Sequence, residues 1–312
     1  MAAYAKHMAS AVCIGVLALA FLQYPQPFPT RSLVAIPEGV SFAEASALLK
    51  SAHIISSTTL LRLSAGIIGG AENIRAGEYL FEKPIGVLTV AYRLIHGEYH
   101  LEQVKVVLPE GSTNAMMADS ISKKLPSFDT DTFLSQAHDR EGYLFPDTYF
   151  FFVNARPDDV IATLSKKSDS VLAEYADAIA SSTRSREEIV TMASIIEEEA
   201  RGAEDQRVVS GILWKRFDVD MALQVDATFA YTLGKTSSEL THDDLQTDSP
   251  YNTYTRTGLP PTPISNPGRG ALEAALFPTK TPYWYYLTGT DGVTHFAKTF
   301  EEHKKNKELY LQ

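Results

Sequence analysis

Three consecutive glutamates, Glu197, Glu198 and Glu199, follow the run Ala193-Ser-Ile-Ile196. A glutamate works as a general acid only if it still holds a proton near neutral pH, and in a free peptide it titrates near about 4.3. This tract carries three influences that oppose ionisation. It falls in the last turns of a helix, where the dipole disfavours negative charge. Its members repel one another, and partial burial against Ile196 and Ala193 adds a desolvation cost. At about 100° per residue, the apolar set Ile189, Val190, Met192, Ala193, Ile195, Ile196 and Ala200 centres on the direction of Ile189. Glu198 then points away from the core, as a solvated residue. Glu197 and Glu199 lie on the two borders, each about 80° from that centre. Either could reach a cleft, and periodicity does not choose between them. A surface run of acids, tolerated beside Arg201, is the plainer alternative.

Other residue sets fit the same chemistry. Glu141-Gly-Tyr-Leu-Phe-Pro-Asp147-Thr-Tyr149 packs aromatics around two acids. Sugar faces stack on rings and sugar hydroxyls bond to carboxylates, so such a set suits a carbohydrate, although a strand start with a turn would read alike. Leu223-Gln224-Val-Asp226-Ala-Thr228 precedes a short helix ending at Gly234, with Asp226 as its natural N-cap and Gln224 freer to meet a ligand. The tract from Ser249 to Gly268 is stiffened by prolines and offers Tyr251, Asn252, Tyr254 and Asn266 for stacking and amide bonds. It reads as one wall of a polymer-binding groove, or as a loop packed on the core. No metal-ligand spacing, P-loop, GxSxG or dinucleotide fingerprint is present; His295 and His303 are too few for a metal site. No cofactor is expected.

The elements that must position these residues can be read from caps and periodicity. Ser185 and Glu188 form a capping box that starts the glutamate helix, and Gly202 is read as its end. Further helices are expected at 113–124, 158–180 and 204–217, with a short one at 270–276 inside the long loop 249–282. Strands are expected at 149–153 and 283–287. Upstream, Val34-Ala-Ile-Pro-Glu-Gly39 is echoed by Val106-Val-Leu-Pro-Glu-Gly111, each copy a short strand, a turn and a helical stretch. The first copy carries a capping box at Ser41 and Glu44. A strand at 78–81 and a helix from Val87 to His96, closed by Gly97, complete a small α+β unit over 32–102. Residues 103–312 form a larger, mixed α/β unit.

Ala9 to Leu22 is an apolar run behind Lys6, and counting from Met8 to Tyr24 reaches the lower limit of about 17 residues for a membrane span. Residues 1–24 are therefore expected to be a cytoplasmic tip and a single-pass anchor, with a proline-rich stalk at 25–31. A cleaved signal peptide, with Ala18-Leu19-Ala20 as its site, is the competing reading. Either way the remainder is exported. The one cysteine, Cys13, lies in this run and reads as a small hydrophobe. The net charge of −10 and the lack of a basic cluster argue against a nucleic-acid partner. Hydrophobic residues at 45% and charged residues at 21% mark a globular chain rather than a disordered one.

Taken together, ASIIEEEA (193–200), EGYLFPDTY (141–149), LQVDAT (223–228), SPYNTY (249–254), GLPPTPISNPG (258–268), Ala274-Ala275…Pro278 and THFAKTFEEH (294–303) resemble the YceG-like endolytic murein transglycosylases, in family order. The resemblance implies a LysM-like module at 32–102 and a catalytic domain at 103–312. It implies that the first glutamate of the run, Glu197, is catalytic; Glu141, Asp147, Gln224, Asp226, Tyr251, Asn252, Tyr254 and Asn266, read above from their residue types, are the candidates for binding substrate. The implied substrate is a peptidoglycan glycan strand, cut without water between N-acetylmuramic acid and N-acetylglucosamine to leave a 1,6-anhydro end. The implied location is the cytoplasmic membrane, with the catalytic domain on its periplasmic or extracellular side and peptidoglycan synthases as partners. Two departures stand out: Ala227 replaces the family's usual proline, and Glu198 stands where lysine is common. A hydrolytic muramidase using Asp147 or Asp226 as a second carboxylate, and a wall-binding adaptor without catalysis, are the alternatives.

Overall fold

The structure, a computed structural model, describes residues 24–70 and 74–311. The expected anchor, including Cys13, lies outside the described residues. Among the described residues no helix is long and apolar enough to cross a membrane. The chain forms two compact units, the first ending at Glu102 and the second beginning at Gln103.

In the first unit, strand β1 (Ser32–Ile36) leads through the Pro-Glu-Gly turn to helix α1 (Phe42–Ser51), and then α2 (Thr58–Ile68), strand β2 (Gly77–Phe81) and α3 (Val87–His96) follow. Glu44 Oε2 accepts from the Ser41 amide at 2.7 Å, and Ser41 Oγ accepts from the Glu44 amide at 3.3 Å, closing the box read from sequence. β1 and β2 pair antiparallel, with Val34 opposite Tyr79. Val34, Ile36, Leu49, Leu61, Tyr79, Phe81 and Leu94 make the core. The buried Arg93 donates to the carbonyls of Leu80, Glu98 and Tyr99, so its charge is satisfied by backbone.

The second unit has two apolar cores. In one, the antiparallel pair β3 (Gln103–Val107) and β4 (Thr148–Phe152) sets Val106 opposite Tyr149. Helices α4 (Asn114–Ser122), α5 (Thr130–Ala137) and α6 (Pro157–Glu174) cover it with Met117, Ile121, Phe133, Val160 and Leu164. The expected helix over 158–180 is broken at Tyr175, which has non-helical backbone, and resumes as α7 (Ala176–Ser181). The Tyr175 hydroxyl is fixed on Glu273 at 2.7 Å.

The other core surrounds the glutamate helix, α8 (Arg186–Glu199), packed by α9 (Ala203–Asp218) and α12 (Arg269–Leu276). Glu188 and Ser185 cap it reciprocally, at 2.8 and 3.1 Å. Every residue from Ile189 to Ile196 is buried, including Thr191 and Ser194. The helix is therefore not a two-faced surface helix but one buried all round through its middle, and only its first and last turns reach the surface. It ends at Glu199, with Ala200 extended; Gly202, at φ +86°, precedes α9 instead of closing α8. Between α9 and α12 lie α10 (Ala227–Leu233), the one-turn α11 (His242–Leu245) and the long proline loop. The chain closes with the hairpin β5 (Tyr285–Thr288) and β6 (Thr294–Ala297), then α13 (Phe300–Tyr310). The fold class is mixed α and β, as read from sequence.

Candidate active site

The last turn of α8 delivers its three glutamates to three different surroundings. Glu197 is half-buried and meets the end of the proline loop, where Glu197 Oε2 accepts the Gly268 amide at 2.8 Å. Burial pushes its carboxyl up to about 7, against the pull of the Gly268 donor, and the nearby Glu110 and Glu198 carboxylates push the same way. Glu198 is exposed, as periodicity predicted, although the neighbours packed around its carboxyl group desolvate it enough to raise it. Glu199 points elsewhere: its Oε2 accepts the Tyr286 hydroxyl at 2.9 Å. Burial raises Glu199 to about 7, with Asp226 adding repulsion. Packing thus separates the two candidates left open by periodicity. Glu197 faces a turn and a loop, whereas Glu199 is absorbed into a cluster with Tyr286, Asp226 and Arg216.

The seat of Glu197 is built from two tracts far apart in sequence. The Gly111 amide donates to the Asn266 carbonyl at 3.0 Å, and the Asn266 amide donates to the Ser112 carbonyl at 3.0 Å. This two-way bridge fastens the second Pro-Glu-Gly turn to the loop. Ser194, buried in α8, fastens the same loop from below. Its hydroxyl accepts the Ile264 amide at 3.0 Å, and its carbonyl accepts the Ser265 hydroxyl at 3.2 Å. Gly111, at φ +77°, lies over the end of α8, where a Cβ would come within 2.6 Å of Glu198 Oε1 and 3.5 Å of Glu197 Cγ.

Glu141 and Asn266 belong to one buried network behind this seat. The Asn266 side chain accepts the Leu144 amide at 2.9 Å and donates to the Ser112 carbonyl, to Asn114 Oδ1 and to Glu141 Oε1. Glu141 Oε1 also accepts the Asn114 amide at 3.0 Å. Burial raises Glu141 to about 7 in spite of these donors and one from Tyr231. The two side chains brace the bridge between turn and loop, and both are buried.

Gln224, Asp226 and Tyr254 come together in a second group. The Gln224 amide donates to the Thr253 carbonyl at 3.0 Å, from a backbone at φ +53°, and its side chain is exposed. Asp226 precedes α10 but does not cap it. Its backbone is already helical, and its carboxylate accepts the Tyr254 hydroxyl instead. The N-cap expectation is corrected on that ground, since capping needs extended backbone at this position. Asn252 is buried and spends its amide on the Leu245 and Thr247 carbonyls while its carbonyl oxygen accepts the Tyr254 amide. Tyr251 stands between the groups, its hydroxyl bonded to Thr262 at 2.7 Å and its ring 5.6 Å from that of Tyr231. Asp147 is separate: it accepts its neighbour Thr148's amide, pairs with Lys167 at 3.1 Å, and is held below the usual carboxylate range by those contacts.

Two open cavities lie in this unit. The larger, about 540 Å³, is lined by the proline loop itself, by Pro250, Asn252, Thr255, Arg256, Leu259 and Pro261. The smaller, about 380 Å³, is lined by Gln136, Asp139, Arg140, Tyr143, Ser165 and Asp169. Glu197 lines neither of them. Among the described residues no His, Cys, Asp and Glu side chains are grouped to hold a metal ion.

Glu110, Gly111, Ser194 and Gly268 were not among the candidate site residues read from sequence. The only signal for the first two was the repeated Pro-Glu-Gly turn, which reads equally well as turn chemistry.

A carboxyl group pushed up to about 7 at the surfacing end of a buried helix, on a mixed α and β fold, has the property that general acid–base chemistry requires. The profile of the YceG-like family matches residues 34–309. An endolytic murein transglycosylase of Bacillus subtilis (strain 168) is 32% identical over 305 residues, covering 89% of this chain and 84% of the relative. One of the same description from Streptococcus pneumoniae serotype 2 (strain D39) is 27% identical; the match covers 88% of this chain but only 57% of that protein. The crystal structure of a YceG-like protein from Listeria monocytogenes aligns with a TM-score of 0.61 and 32% identity, over 88% of this chain and 98% of that one. The chain belongs to the YceG-like family.

Proposed function

We propose that this chain is an endolytic peptidoglycan transglycosylase whose acid–base residue is Glu197. The observation that carries this reading is the Glu197 carboxyl itself, half-buried, titrating at about 7 and hydrogen-bonded through one oxygen to the Gly268 amide. The relatives described as endolytic murein transglycosylases support the choice of substrate.

In this reading the proton on Glu197 passes to the glycosidic oxygen between N-acetylmuramic acid and N-acetylglucosamine as the C1–O bond breaks. The C6 hydroxyl of the muramic acid closes onto C1. Its proton goes to the Glu197 carboxylate, which restores the acid. The Gly268 amide holds Oε2 throughout, fixing the carboxyl plane and stabilising the anionic interval. One carboxylate suffices because the nucleophile is tethered to the reacting sugar, whereas hydrolysis normally employs two. Neither carboxylate considered for a hydrolytic partner supports that alternative. Asp147 is paired with Lys167, and Asp226 is bonded to Tyr254. Gln224, with its exposed side chain, and Tyr251, at the loop, are the better candidates for direct substrate contact. Glu141, Asn266 and Asn252, which are buried, serve by holding the loop. The lyase classification follows from the non-hydrolytic product.

The proposal extends to the rest of the chain. Residues 1–24 are read as a single-pass anchor in the cytoplasmic membrane and 25–31 as a stalk. The first unit is read as LysM-like, a reading supported by its strand, two helices and antiparallel strand. The catalytic unit would then work on the periplasmic or extracellular side, beside the synthases that extrude nascent strands.

The test is mass spectrometry of products formed by the full chain on intact glycan strands. Ends one water lighter than reducing ends, produced within strands, support the proposal. Reducing ends alone would replace it with hydrolysis, and binding without cleavage would leave the adaptor.

A further inference from the structure

The most informative unassigned contact around Glu197 is that of Glu110. This residue occupies the centre of the second Pro-Glu-Gly turn, and its side chain is exposed. Its carboxylate nevertheless has a shaped seat. Gly268 is buried, and a Cβ added there would come within 2.0 Å of Glu110 Oε1 and 2.1 Å of its Cδ. The carboxyl group therefore lies directly on the Gly268 backbone, in the space that any side chain at 268 would fill. Gly268 is also the residue whose amide holds Glu197. Glycine is needed here for close approach alone, since its φ of −76° is open to any residue. The turn is tied to the loop here, because Gly111 and Ser112 are bridged to Asn266, two residues before the seat.

We propose that Glu110 is a positioning residue for the reaction: its carboxyl group, seated on the Gly268 backbone whose amide holds Glu197, keeps the proton of the acid in place for donation. This rests on the reading of Glu197 as the acid. The charged groups acting on Glu197 are Glu110, from the turn, and Glu198, from its own helix; the third influence, from the loop, is the Gly268 amide. Both charges have the same sign as the carboxylate, so each makes its ionisation harder. Of the two, Glu110 is the one that lies against Gly268, the residue whose amide is bonded to Glu197.

The experiment is a direct titration of Glu197 in the full chain in detergent micelles. The probe is the 13C signal of side-chain carboxyl-labelled glutamate, assigned by its loss in Glu197→Gln. Glu110→Gln is expected to move the Glu197 midpoint down from about 7, by about half a pH unit or more, the scale of a like-charge neighbour near water. Glu110→Asp, which keeps the charge one methylene back, recovers part of that shift. Gly268→Ala is expected to push the flexible end of Glu110 off its seat and lower the midpoint as well. It adds nothing further in the Glu110→Gln background. A midpoint unmoved by Glu110→Gln overturns the proposal, and so does an effect of Gly268→Ala that persists undiminished without Glu110. Titration needs no turnover, so a chain that shows these shifts but cleaves no glycan would refute the proposed function and not the hold of Glu110 on Glu197. Reducing-end products formed by the wild type and lost in Glu110→Gln would instead make Glu110 a second reacting carboxylate, and the positioning role would fall.

Discussion

Replacing Glu141 by glutamine isolates the energetic consequence of burying a carboxyl group in this fold. Glu141 is 9% exposed and its folded-state value is about 7 against an ordinary 4.5. The folded state therefore binds a proton that the unfolded chain releases between those values. Stability is fully present below about 4.5 and is lost as pH rises through about 7. A shift of about 2.5 units corresponds to about 3 kcal/mol, of which about 2 to 2.5 kcal/mol falls between pH 5 and pH 8. Glutamine keeps an acceptor for the Asn114 amide and Asn266 Nδ2 but has no proton to lose. The variant should match the wild type near pH 5 and exceed it at pH 8, flattening the pH dependence by about 2 kcal/mol. Glu197 and Glu199 titrate in the same window, so the quantity to measure is the difference between the two proteins. Denaturant unfolding followed by tryptophan fluorescence is the assay, because both tryptophans, Trp214 and Trp284, belong to the second unit. Parallel stability curves for the two proteins across pH 5 to 8 would refute the reasoning, because burial would then not control this carboxyl.

Other expectations concern packing and charge. Gly211→Ala should destabilise the second unit by about 2 kcal/mol or more, because its Cβ would meet the Thr279 carbonyl oxygen at 2.0 Å; unfolding midpoints would reveal it. Glu198→Lys removes a like charge beside Glu197 and adds an opposite one, so the basic limb of the pH–rate profile should move to lower pH. An unchanged limb would count against Coulombic control of the acid.

Much of the local structure was legible because it is encoded locally. The capping boxes at Ser41–Glu44 and Ser185–Glu188 each span four residues, and both form as read. The positions of Glu197 and Glu199 on opposite borders of α8 were also readable, but what covers each border was not. That depends on the Gly268 loop on one side and the Tyr286 hairpin on the other, both more than seventy residues away in sequence. Glu110 was hidden for the same reason, since its contact with Gly268 spans 158 positions (268 − 110). Asp226 misled because N-cap preference is a local rule, and the longer-range bond to the Tyr254 hydroxyl prevailed. Helix α13 is not legible locally because Phe300–Tyr310 is strongly polar; its packing includes ring contacts of Phe300 and His303 with Tyr285 and of Tyr310 with His295. The motifs grouped as one set prove to be parts of a scaffold, with Asn266 and Glu141 bracing what Glu197 leans on.

The most direct measurement compares the wild type with Glu197→Gln on glycan strands of defined length, in water enriched in oxygen-18. The wild type should produce internal cuts whose new ends carry a 1,6-anhydro ring and no oxygen-18. Glu197→Gln should retain the near-ultraviolet circular dichroism of the wild type while its rate falls by a factor on the order of 100 to 10,000. Near-wild-type cleavage by the variant, or oxygen-18 in the wild-type products, would contradict the assignment of Glu197 as the single acid–base residue of a non-hydrolytic reaction.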